Sequence, residues 1–185
     1  MIDIGELILA GFFFFTPAQA APIDIEFSNF DTDESVECLA LNMYYEARGQ
    51  GTVGLLAVSY VVLNRVKDKR FPNTICGVIK QGPVRESWKK DGTYYPIRNR
   101  CQFSWYCDGK SDIPKNTKLY KKLFMISKAL VYNIKDSFID ITDGALFYHA
   151  YYVTPAWSKV KYRTARIGDH IFYRWDIKSA PDHLL

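Results

Sequence analysis

The chain has 185 residues, of which 48% are hydrophobic, 16% aromatic and 24% charged. That length suits one globular domain able to bury about two-thirds of its unfolded surface, and the apolar content excludes a disordered, collagen-like or coiled-coil chain. Lys and Arg number 24 against 20 Asp and Glu; the surplus is small and forms no basic run, which argues against nucleic acid as a partner.

The first segment differs in character from the rest. Leu7 to Phe15 are uninterrupted apolar, Thr16-Pro17 breaks the run, and Ala18-Gln19-Ala20 is a small-x-small site. Such a run is too short to cross about 30 Å of hydrocarbon as a helix. The pattern predicts a secretory signal over residues 1–20, cleaved near Ala20, although Asp3 and Glu6 stand where Lys or Arg is usual. Cleavage would remove both acids and no base, leaving a more cationic chain that suits an anionic wall polymer. The expected location is the periplasm or cell wall, with no stable membrane span. Release to the periplasm from a phage-encoded source is the alternative.

From Asp33 to Arg48 the apolar positions Val36, Leu39, Ala40, Met43, Tyr44 and Ala47 recur at helical spacing, and Gly49 and Gly51 end the pattern. Asp33 is the expected N-cap. Thr52 is read as capping a second helix through about Lys69, nearly all of it buried, with Phe71-Pro72-Asn73 as its stop. Gln81 to Pro114 is rich in Gly and Pro, a long loop or small β-lobe, and loops of that length in compact domains are usually functional. Asn116 caps a third predicted helix with the stripe Leu119, Leu123, Ile126, Leu130 and Ile134, while Lys118, Lys121, Lys122 and Lys128 face water. The end is β-like. Leu146 to Val153 is one strand, and Val160–Ile167 and His170–Asp176 flank the hairpin turn Gly168-Asp169. The class is α+β, helix-rich with a small hairpin lobe.

Cys38, Cys76, Cys101 and Cys107 make an even count in an exported chain, which reads first as two disulfides. Three connectivities are open; a local Cys101–Cys107 bridge would leave Cys38 for Cys76. No pair has CxxC spacing, and His149, His170 and His183 form no HExxH, so neither a metal nor a cofactor is expected.

Glu46 is the strongest chemical candidate. It falls in the last turn of the first helix, at the negative end of the helix dipole, beside Met43 and Tyr45. Dipole and desolvation both favour its protonated form, which a general acid needs at neutral pH. A surface glutamate at a helix end is the competing reading.

The surrounding residues sharpen that choice. The stretch Cys38-Leu39-Ala40-Leu41-Asn42-Met43-Tyr44-Tyr45-Glu46-Ala47-Arg48-Gly49, followed by Val62-Leu63-Asn64-Arg65-Val66, Phe71-Pro72-Asn73 and Cys101-Gln102-Phe103-Ser104-Trp105, resembles the SleB/CwlJ-type cell-wall hydrolases. That group includes the spore-cortex-lytic enzymes. Phe147-Tyr148-His149-Ala150 and Ile167-Gly168-Asp169-His170 continue the likeness, which runs in order from about Glu37 to Arg174.

The resemblance implies a lysozyme-like domain, related to resuscitation-promoting factors, over residues 37–176. Residues 21–36 would be a lead-in and 177–185 a tail. It implies cleavage of the N-acetylmuramic acid–N-acetylglucosamine bond of peptidoglycan by a monomer, with glycan strands as the partner. Glu46 takes the family's catalytic position; Gln102, Phe103, Ser104, Trp105, Tyr148 and His149 would contact sugar. Hydrolysis normally uses two carboxylates, and none of Glu86, Asp91, Asp108 or Asp112 is fixed by spacing relative to Glu46, so a one-acid lytic transglycosylase is favoured. A muramidase-type hydrolase, such as a phage endolysin, and an inactive peptidoglycan-binding protein are the alternatives. A stem-peptide amidase would want a zinc site or a Cys–His pair, and neither is visible.

Overall fold

A computed structural model of the chain describes residues 32–132 and 139–175. The predicted signal, most of the lead-in, Ile134 and the tail lie outside the described residues.

The first helix, α1, runs Thr32–Ala47 and occupies the centre of the molecule, packed against the helices α2 (Gly51–Lys67), α3 (Ile75–Ile79) and α4 (Thr117–Tyr132). Its apolar positions Val36, Leu39, Ala40, Met43, Tyr44 and Ala47 are all buried, as their spacing predicts. The helix begins at Thr32, one residue ahead of the expected cap at Asp33. The second helix is apolar on nearly every side because it is covered twice. Its Leu55, Val58 and Val62 join the main core, whereas Ala57 and Val61 meet Ala145 and Phe172. Leu56 and Val66 are half-buried.

Thr52 does not cap α2. Gln50 holds that position without a side-chain capping bond. Its amide reaches across the molecule instead: Nε2 donates to Asp169 Oδ2 at 2.9 Å, and the Asp169 N–H donates to Gln50 Oε1 at 2.8 Å. The turn Gly168-Asp169 is thereby pinned to the start of α2. Gly168 has φ +55°, and a Cβ there would meet Gln50 Oε1 at 2.5 Å, so glycine is the residue that fits.

Helix α3 is too short to carry a periodic signal; Thr74 caps it by accepting from the Gly77 N–H at 3.0 Å. Asn116 caps α4 through the Leu119 N–H, and the four lysines of that helix are exposed. The segment between α3 and α4 contains a two-stranded antiparallel hairpin, β1 (Val84–Glu86) with β2 (Tyr94–Pro96), and one 3₁₀ turn at Ser104–Cys107. The closing sheet is antiparallel with order β3-β5-β4, formed by β3 (Phe147–Ala150), β4 (Tyr162–Ile167) and β5 (His170–Arg174). The architecture is α+β. Disulfides Cys38–Cys76 and Cys101–Cys107 tie α1 to α3 and close the base of the 3₁₀ turn.

Candidate active site

The last turn of α1 brings Glu46 to the wall of a cleft of about 490 Å³. The opposite wall is the edge strand β3, which contributes Phe147 and Tyr148; α2 contributes Arg65, and the segment before the 3₁₀ turn contributes Gln102, Phe103 and Ser104. Trp157, Lys161 and Trp175 complete it. Among the described residues, Glu46 is the sole carboxylate in this lining.

Burial raises the Glu46 carboxyl above the ordinary value of 4.5. The opposing influence is one hydrogen bond: the Tyr148 hydroxyl donates to Glu46 Oε2 at 2.8 Å, which favours the ionised form. Burial beside that carboxylate holds the Tyr148 phenol well above 10, so it remains a neutral donor. Because Oε2 accepts from Tyr148, the acidic proton belongs on Oε1. Met43 and Tyr45, expected to desolvate Glu46, face elsewhere. Met43 sulfur accepts from Ser127 Oγ of α4, and Tyr45 stacks on Trp105. The desolvating groups are those of the cleft.

Arg65 is only 4% exposed, yet its sequence neighbours Val62 and Val66 are apolar. Its Nε donates to the Leu146 carbonyl at 2.7 Å, fixing the approach to β3, and its guanidinium lies 5.2, 5.5 and 5.7 Å from the rings of Phe71, Phe103 and Phe147. These rings replace part of the lost hydration through their π faces. Burial pulls its pKa down to about 10, still charged at neutral pH.

The structure brings Glu46, Gln102, Phe103, Ser104 and Tyr148 together and leaves Trp105 and His149 outside. Gln102 and Ser104 are exposed on the cleft, while Phe103 between them is buried under Arg65. Trp105 points into the protein, where its Nε1 donates to Asn42 Oδ1 at 3.1 Å. Its ring stacks on Tyr45 at 5.0 Å beside a second concavity of about 510 Å³. His149 shares the β3 face of Phe147 but sits one residue beyond the cleft, behind Trp157. There it stacks on Tyr173, with Nε2 3.0 Å from the Tyr173 hydroxyl and Nδ1 2.9 Å from the Ala150 carbonyl. Neither side chain reaches the Glu46 cleft in this arrangement.

Arg65, Trp157, Lys161 and Trp175 line the cleft without belonging to the residues that the sequence pattern marks for the site. A lone charge in the apolar run of α2 was an available signal for Arg65; the other three sit in irregular or strand-end sequence with no pattern. The grouping of metal-ligating side chains among the described residues, Glu34 with Cys38 and Cys76, has both sulfurs in a disulfide.

A sequence model described as Cell Wall Hydrolase matches residues 49–173, a span that begins three residues after Glu46. Spore cortex-lytic enzymes are similar: that of Bacillus subtilis (strain 168) is 35% identical over 83 residues, covering 43% of this chain and 27% of the relative. That of Bacillus cereus (strain ATCC 14579) is 42% identical over 68 residues, covering 37% and 26%. The match thus spans about a quarter of the length of these relatives. Among solved structures, the catalytic domain of Bacillus cereus SleB superposes with a TM-score of 0.52 at 26% identity, covering 80% of this chain and 94% of that one. The catalytic domain of the germination-specific lytic transglycosylase SleB from Bacillus anthracis gives 0.52 at 27%, covering 81% and 100%.

Proposed function

The chain belongs to the cell wall hydrolase family, and from that premise we propose that it cleaves the N-acetylmuramic acid–N-acetylglucosamine bond of peptidoglycan as a lytic transglycosylase, with Glu46 as its one acid and base. The observation that carries this reading is the isolation of Glu46: a desolvated carboxyl, held by Tyr148, in a cleft that no second carboxylate lines among the described residues. Retaining hydrolysis would want a partner at about 5–5.5 Å and inverting hydrolysis one at about 6.5–9.5 Å. Asp108 and Asp112 line the other concavity, on the Tyr45 side of α1.

The steps follow from that geometry. Protonated Glu46 gives its Oε1 proton to the glycosidic oxygen as the bond to muramic C1 breaks. The resulting carboxylate is steadied by the Tyr148 hydroxyl and takes the proton of the muramic C6 hydroxyl. The C6 oxygen then closes on C1. A 1,6-anhydro end forms, Glu46 is reprotonated, and no water is consumed. Gln102 and Ser104 offer amide and hydroxyl groups to sugar hydroxyls and N-acetyls, and Trp157 offers a ring; Trp175 is taken by Lys161, whose ammonium lies 3.1 Å from its ring centroid. The catalytic unit is residues 37–176, acting as a monomer outside the cytoplasmic membrane, and the described residues contain no helix long and apolar enough to cross one.

Glu46→Gln tests the assignment. Solubilisation of purified sacculi should fall about a thousandfold, while the fold is retained. The sign of the stability change is defined too. A carboxyl whose pKa is raised on folding loses stability as pH rises from the unfolded value, 4.5, through the folded one. The variant should therefore gain in melting temperature relative to the parent as pH increases over that window. Undiminished cleavage would remove Glu46 from its role.

A further inference from the structure

The β1–β2 hairpin is built in a way that the core does not explain. Both strands are exposed on both faces except at Pro96, so the hairpin shelters little apolar surface. Yet its side chains are large and aromatic: Trp88 is 87% exposed and Tyr95 53%, with Tyr94 and Val84 similar. A two-stranded hairpin with no buried face is marginal by itself, so its order has to come from its ends and its tip. At the base, Gly82 packs so closely on Cys101 that a Cβ would lie 2.9 Å from the Cys101 Cα. The Ile97 N–H donates to the Pro83 carbonyl at 2.9 Å. At the tip, Ser87 and Lys90 N–H groups bond to Thr93 and Ser87 carbonyls at 2.7 and 3.0 Å. The aromatics are thus held out in a fixed arrangement, and exposed apolar patches of this kind mark contact surfaces.

We propose that this hairpin is a second glycan-binding site, which takes the peptidoglycan strand beyond the part held in the Glu46 cleft. The inference rests on the peptidoglycan reading given above and names where more of that polymer is held. Two observations select a glycan. The first is the lining of the concavity at the hairpin, about 620 Å³, where Trp88 and Tyr95 stand among Arg85, Glu86, Ser87, Lys89 and Asp91. Register sets Arg85 directly opposite Tyr95. Flat apolar faces bordered by donors and acceptors of both signs match a sugar ring, whose axial C–H groups are apolar and whose rim is hydroxyl. An anionic lipid surface would favour the aromatics and cations but is opposed by Glu86 and Asp91.

The second observation is continuity. The Gln102 N–H donates to the Gln81 carbonyl at 2.8 Å, so the hairpin's stem is bonded to the residue that lines the Glu46 cleft. From Gly82 to Trp88 the chain can extend at most about 20 Å, which keeps the tip within reach of a polymer leaving the cleft. Two sites on one strand also raise retention without tightening either contact.

The test uses the full chain carrying Glu46→Gln, so that the polymer is bound and not cut, and compares it with the same chain bearing Trp88→Ala and Tyr95→Ala. Retention on purified sacculi in a sedimentation assay should weaken about tenfold, the usual consequence of truncating exposed aromatic anchors, and Trp88→Phe with Tyr95 intact should recover most of it. In the Glu46 parent, the double substitution should lower the rate on sacculi more than the rate on a soluble two-disaccharide fragment. A folding defect would lower both equally, and that result overturns the proposal. Unchanged retention on sacculi overturns it as well. So does loss of binding to phosphatidylglycerol vesicles with sacculus retention intact, which would assign the hairpin to a membrane. Failure of the functional reading is separate: it would appear as cleavage of sacculi by the Glu46→Gln chain.

Discussion

Two concavities flank the C-terminal turn of α1, and consecutive residues of that turn serve different ones. Tyr45 lines the first together with Arg48, Trp105, Asp108, Lys110 and Asp112. Glu46, rotated by one helical step, lines the second with Tyr148, Arg65 and Gln102. The first has two carboxylates, of which Asp108 has ordinary surface partners. Asp108 accepts from the Lys110 backbone and pairs with the Lys110 ammonium at 3.2 Å, which holds its pKa down. Asp112 is pushed up by partial burial and then by Asp108. The second concavity has one acid, no salt-bridge partner among the described residues, and a single phenol to hold it. On the function proposed above, the chemistry follows the desolvation of one carboxyl beside a neutral donor rather than the density of charge.

Ways to break that contrast can be ordered by size. After Glu46→Gln, the largest loss should follow from Tyr148→Phe, which removes the hydrogen bond to Oε2. A bond to a charged group of this kind corresponds to about ten- to a hundredfold in rate. Because the bond lowers the Glu46 pKa, removing it should also move the alkaline limb of the pH–rate profile upward. A uniform loss of rate with an unmoved limb would reduce Tyr148 to packing.

The disulfides sharpen the comparison by separating scaffold from site. Loop-closure entropy gives about 4 kcal/mol for Cys38–Cys76, separated by 38 residues. For Cys101–Cys107, separated by 6, it gives about 2 kcal/mol. Replacing the first pair by alanine should cost more in urea unfolding. Replacing the second should cost relatively more in cleavage, since it closes the loop bearing Gln102 and Ser104. The reverse ranking of the two measurements would contradict this division. The smallest effect is expected from Asp108→Asn with Asp112→Asn, whose rate on sacculi should stay within about twofold of the parent, as for surface substitutions. A loss comparable to that of Glu46→Gln would make one of them the missing second carboxylate.

Much of this arrangement is legible in the sequence because it depends on local pattern. The buried stripe of α1, the all-round apolar α2, the cap at Asn116 and the turn at Gly168-Asp169 are each encoded within a few residues. Glu46 is legible for the same reason, as a carboxylate in a helix's last turn within a longer motif. Trp105 and His149 are not, because their surroundings come from distant chain. Asn42, 63 residues away, turns the Trp105 indole inward, and the Tyr173 ring claims His149. Trp157 and Lys161 enter the cleft from a 3₁₀ turn and the loop behind it, where neither helical nor strand periodicity applies. Gln50 illustrates the same limit, since its bond to Asp169 spans 119 residues and no local pattern marks it.

The central claim is that one carboxyl acts without a partner and without water. It is tested most directly by mass spectrometry of the soluble fragments released from purified sacculi. The account predicts muropeptides ending in 1,6-anhydromuramic acid, lighter by one water than a hydrolysed end. Fragments with ordinary reducing ends, carrying that water, would contradict it.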